Sequence, residues 1–180
     1  MHDESDNLKS LTYFHPRYMS LTEPHPLWTS AGSSPAKIAM ATVQAQMLSG
    51  KYRTQQHCSH WSPDSDAKCL LSLNCTENED IAHILTSCEA LEETRAKLSK
   101  FTEQYTIHAP LVSSIVQSLC NPRSPDFVQF LLDCSVFPEV IRLVQQEGAV
   151  IHTYLFDISR TWVYSLHKQR LKLLGRWNYI

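Results

Sequence analysis

Three thiols and one imidazole lie within a single short run, CLLSLNCTENEDIAHILTSC, which places Cys69, Cys75, His83 and Cys88 in the order Cys-x5-Cys-x7-His-x4-Cys. Thiolate and neutral imidazole are the ligands that Zn2+ takes in closed, four-coordinate structural sites, so the run holds a complete ligand set for Zn2+. The first gap is wider than the usual spacing of about two to four residues, which keeps Cys58, in HCSHW, as an alternative first ligand. The competing reading is a group of ordinary buried cysteines, the role that Cys120 and Cys134 take among apolar helical residues. His57 and His60 read as solvent-facing loop residues, and Glu77, Glu79 and Asp80 as helix-capping acids. No Gly-rich phosphate loop, Gly-x-Ser-x-Gly elbow or His-Glu-x-x-His pair occurs, and no nucleophile pairs with a base. No catalytic residue and no small-molecule substrate are therefore predicted.

The spacing makes a geometric demand. His83 and Cys88 are five positions apart, roughly 140° around a regular helix. They cannot share one face, so the helix that carries His83 must end or tighten near Ser87. Cys69 and Cys75 belong to a preceding loop that has no core of its own. A structural zinc ion would stabilise that loop by on the order of 10 kcal/mol.

The elements around the run read as helices. Residues 1–35 hold Pro16, Pro24, Pro26 and Pro35, which predicts an irregular lead-in whose aromatics Tyr13, Phe14, Tyr18 and Trp28 pack on something. Residues 36–106 carry the first helix, the cysteine segment and the helix after it. Ser34 caps the first helix, Pro35 fits its first position and Gly50 its end. Residues 54–78 read as loop, Asn78 to Asp80 as the start of a short helix through His83, and Glu89 to about Tyr105 as a longer one. Residues 107–180 form a C-terminal helical region: two short helices separated by a turn at 121–125, one opened by Pro138, and one from Ala149 to about Leu174. In the last, Ile151, Leu155, Ile158, Trp162 and Leu166 repeat at helical spacing. No region alternates like a strand. The predicted fold class is mainly α: a small helical domain with a zinc-stapled loop-helix segment and a long C-terminal helix.

Composition bounds the partners. With 43% apolar residues in 180 the chain can bury a real core, and 16 basic against 18 acidic residues exclude a strong overall field. The start, MHDESDNLKSL, shows no secretory h-region, and no stretch is apolar for long enough to span a membrane. The expected setting is intracellular, nuclear or cytoplasmic, where six cysteines read as thiols or metal ligands.

The segments ATVQAQMLSGKYRTQQHCSHWS, CLLSLNC, EDIAHILTSC, EALEETR and LFDISRTWVYSLHKQRLKLLGRW resemble the region beyond the polymerase core in non-LTR (LINE-like) retrotransposon reverse transcriptases. The likeness runs from about Phe14 to Trp177. It implies a zinc-binding segment in which Cys75, His83 and Cys88 match the last three ligands, and Cys69 the first by order but not by spacing. It also implies RNA or DNA as partner, with a reverse transcriptase core as another, and no polymerase activity here, since no Tyr-x-Asp-Asp type motif occurs. Charge then suggests where nucleic acid would bind. Cys58 to Glu103 carries nine acids and four bases, whereas Arg160, Lys168, Arg170, Lys172 and Arg176 meet no acid after Asp157. Trp177 and Tyr179 add groups able to stack on bases. The competing expectation is a zinc-stabilised helical module that binds protein.

Overall fold

Every long helix of the chain is organised around the last. In the computed structural model, which describes Tyr13 and residues 24–62, 64–122 and 124–175, eight α-helices follow in order: α1 Pro26–Thr29, α2 Pro35–Leu48, α3 Gln55–Ser59, α4 Glu92–His108, α5 Ser113–Leu119, α6 Phe127–Leu132, α7 Pro138–Glu147 and α8 Val150–Leu173. Helix α8 packs on α2, α4, α6 and α7. Its Ile151, Leu155, Ile158, Trp162 and Leu166 are all fully buried, as their spacing predicts. Trp162 sits edge-on to Phe127, 5.2 Å between ring centroids, and its indole N–H donates to Thr102 Oγ1 at 2.8 Å. The regions 36–106 and 107–180 thus share one core. Among the described residues, no helix is long and apolar enough to cross a membrane.

Local signals explain the boundaries. Ser34 Oγ accepts from Lys37 N–H, Pro35 occupies the first turn of α2, and Gly50 beyond it has φ +67°. Gly148, at φ +86°, breaks the chain between α7 and α8. Two expectations for the N-terminal part need correction. Pro26 opens a helical turn, α1, where an irregular segment is expected, because a proline in the first turn of a helix costs no hydrogen bond. Trp28 on that turn is 41% exposed while its neighbour Leu27 is buried. Phe14, Tyr18 and most of the predicted lead-in lie outside the described residues.

The segment between α2 and α4 is loop apart from α3, a helical turn at 81–87 and a 3-10 turn, Glu89–Leu91, that leads into α4. Its regularity comes from a short antiparallel contact: Lys68 bridges Asn78, Cys69 N–H donates to Glu77 O at 2.9 Å, and Glu79 N–H to Ala67 O at 2.9 Å. This contact sets Cys69 beside Glu77 in a fixed register.

Candidate metal centre

Cys69, His83 and Cys88 meet in the interior, with one ligand atom from each lying within 4.8 Å of the others. The Cys69 and Cys88 sulfurs are 3.8 Å apart, well beyond a disulfide bond. Cys75 lies outside this mutually close trio and touches it at His83, its sulfur 3.4 Å from Nε2. Cys58 is half-buried on α3 and is not a member of the cluster.

The turn that carries His83 ends at Ser87, one of the two expected outcomes, but its geometry is an unexpected one. The helix does not tighten. It widens into a π turn, His83–Ser87, in which Cys88 N–H donates to His83 O five residues back at 2.9 Å. A turn closed over five residues takes in one more residue than an α turn, so positions five apart nearly realign. The chain then leaves the helix at Cys88, with φ −60° and ψ 114°. The buried Arg95 of α4 donates to Cys88 O at 2.7 Å and so fixes that exit.

Three consecutive acids or near-neighbours carry three separate roles. Asp80 caps the turn, its carboxylate accepting from His83 N–H at 2.6 Å. Glu77 accepts from His83 Nδ1 at 2.7 Å and from Ser87 Oγ at 3.0 Å. That contact assigns the imidazole proton to Nδ1 and leaves the Nε2 lone pair facing Cys75. The hydrogen bonds from His83 and Ser87 hold the Glu77 carboxyl below its usual range. Glu79 is fully buried and pairs with Arg170 of α8 at 2.5 Å, while also accepting from Gln55 N–H at 3.0 Å. Arg170 Nη2 also donates to Arg53 O at 3.0 Å, and its guanidinium lies over the Tyr52 ring. The metal segment is thereby tied to the central helix.

Burial pushes the Cys69 thiol up to about 12 and the Cys88 thiol upward as well. Such thiols keep their protons unless a cation replaces them, and a divalent ion supplies that charge. Thiol, thiol and imidazole with a hydrogen-bonded outer carboxylate are a donor set fit to hold a metal ion.

The basic face predicted for α8 is not continuous. Arg160 is 1% exposed: it pairs with Asp157 at 2.7 Å and donates to Leu27 O and to Ser30. Arg170 is equally internal. Both belong to the interior, because α8 is buried on more than one side and each guanidinium finds acceptors on an earlier element. Lys168, half-exposed beside the Tyr164 ring, and Lys172, exposed, remain at the surface. Arg176, Trp177 and Tyr179 lie outside the described residues. A further polar arrangement lies apart from the cysteines: Asp133 accepts from both His25 and Ser135 Oγ.

Set against known proteins, the chain matches no protein-family model, no curated protein and no solved structure.

Proposed function

We propose that this chain is a non-catalytic helical domain stapled by a structural Zn2+, held by Cys69, Cys75, His83 and Cys88, and that it serves as a nucleic-acid-supporting region of the kind found beyond the polymerase core in non-LTR reverse transcriptases. The observation that carries the metal assignment is the spacing of the donors. Zinc–ligand bonds of about 2.3 Å to sulfur and 2.0–2.1 Å to nitrogen give tetrahedral edges of about 3.8 Å for two sulfurs and about 3.6 Å for sulfur and nitrogen. The corresponding separations are 3.8 Å for Cys69 and Cys88 and 3.4 Å for Cys75 and His83. With Cys75 brought in from beside His83 as the fourth donor, the metal would have no position open to substrate, and its role in this reading is structural. The resemblance of the flanking segments to retrotransposon reverse transcriptases supports the nucleic-acid part, with Lys168 and Lys172 as the phosphate contacts.

A second reading, a module that docks on a polymerase core or another protein, is favoured by the internal placement of Arg160 and Arg170. Exposed apolar side chains near the staple favour it too: Trp61 at 80% and Leu70 at 61%. Metal analysis of protein purified under reducing conditions tests the core of the proposal. One zinc per chain is expected, retained in Cys58→Ser and lost in Cys69→Ser; a metal-free parent would refute it. For the nucleic-acid part, replacing Lys168 and Lys172 together with Gln is expected to flatten the salt dependence of RNA or DNA binding. An unchanged slope would favour protein docking.

A further inference from the structure

We propose that Cys75 is the place where the metal centre is chemically open, the residue through which peroxides and carbon electrophiles attack the site and expel its metal. The inference rests on the metal reading above and concerns how that site is regulated. The donors differ sharply in access. Cys69, His83 and Cys88 are 4%, 5% and 0% exposed. Each is also held by more than its ligand atom: Cys69 by the backbone contact with Glu77, His83 by the Glu77 carboxylate, and Cys88 by His83 O and Arg95.

Cys75 is different. It is half-buried and ends a surface turn, its N–H donating to Ser72 O at 3.2 Å. The residues on either side, Asn74 and Thr76, are exposed, and Leu73 at the tip is fully solvated. A reagent from solution therefore meets this sulfur before the other two. A thiolate is the nucleophilic form of cysteine, and exposure sets which cysteine is oxidised first.

The chemistry is balanced at the sulfur. With hydrogen peroxide an S–O bond forms and the O–O bond breaks; hydroxide departs with the electron pair. Cys75 is oxidised by two electrons to the sulfenic acid and the peroxide is reduced. With iodoacetamide an S–C bond forms, iodide leaves, and the product is a neutral thioether. Either product is a poorer ligand than thiolate. What remains is Cys69, His83 and Cys88, a three-donor site with an open position, from which metal escapes more readily. The order of the 67–88 segment then depends on the chemical state of the half-buried Cys75 sulfur.

Zinc-loaded full-length chain, treated with substoichiometric iodoacetamide or hydrogen peroxide, provides the test, with peptide mapping of every cysteine and a chromogenic indicator for released zinc. Cys75 should be modified before Cys69 and Cys88, with about one zinc released for each Cys75 modified. Cys58 and Cys120, also half-buried, can be labelled without zinc release. Cys75→His keeps a donor while removing the sulfur, and should slow release at least tenfold. Zinc lost without Cys75 modification, or Cys69 and Cys88 reacting as fast as Cys75, overturns the inference and leaves the metal reading intact. Protein that carries no zinc at the outset overturns both.

Discussion

Replacing Arg170 with Met removes one cation from the interior and strands the Glu79 carboxylate there. Glu79 is fully buried; one of its oxygens receives Arg170 at 2.5 Å and Gln55 N–H at 3.0 Å, and the other has no partner. Without the guanidinium, the charge keeps a single backbone donor, and Arg53 O loses its partner as well. Breaking a buried pair from one side costs about 3–5 kcal/mol. Against a total stability of roughly 5–15 kcal/mol, that is enough to leave a marginal domain partly unfolded. Equilibrium denaturation in guanidinium chloride with excess zinc reads the loss as a lowered midpoint at unchanged slope. Adding Glu79→Gln to Arg170→Met removes the stranded charge, so the double variant should be more stable than the sum of the singles predicts, by about 2 kcal/mol. A cost below about 1 kcal/mol for Arg170→Met, or additivity within about 0.5 kcal/mol, would refute the buried-pair account.

Other expectations follow from the same contacts. Glu77→Gln leaves His83 Nδ1 without an anionic partner and should weaken zinc affinity by about 10- to 100-fold, read by competition with a chromogenic chelator. Gly148→Ala meets no neighbour within 4 Å, so its effect should be purely conformational: about 1–3 kcal/mol, since φ +86° and ψ 178° belong to a region reserved for glycine. Burial, with the Arg170 charge adding to it, pushes His167 down to about 4. The neutral ring is favoured in the folded chain, so stability from this group is complete above about pH 6.5 and is lost as pH falls toward 4. His167→Gln should show a shallower decline over that window than the parent when thermal unfolding is followed at matched zinc.

What could be read from the sequence follows the range of the interactions. Helix α2 was legible end to end because Ser34, Pro35 and Gly50 act within a turn of where they stand. Helix α8 was legible because five apolar residues repeat on one face. Cys69, Cys75, His83 and Cys88 could be grouped from spacing because all lie in one segment. The route by which His83 and Cys88 align was not legible: a π turn and a tightened end answer the same demand, and nothing in HILTS distinguishes them. Long-range pairing was hidden for a stronger reason. Glu79 and Arg170 are 91 positions apart, and each has an adequate local explanation, a helix cap for one and a solvated basic face for the other. A charge reads as exposed until its partner is known. That is why Arg160 and Arg170 pointed toward phosphate from the sequence and toward the interior in the fold.

The placement of α8 also sets the timetable of folding. Helices α2, α4, α6 and α7 all bury their apolar faces on it, yet it is the last of them to be synthesised. At about 5–20 residues per second, α2 emerges from the ribosome many seconds before the surface that will cover it. During that interval Cys69, Cys75, His83 and Cys88 are already close together in sequence, so a metal ion can close the cysteine segment while the rest of the chain still waits. Glu79 must then remain solvated until Arg170 arrives. The metal would act as an early local anchor and the long helix as the late, concerted step, which leaves the apolar faces of α2, α4, α6 and α7 exposed until α8 emerges.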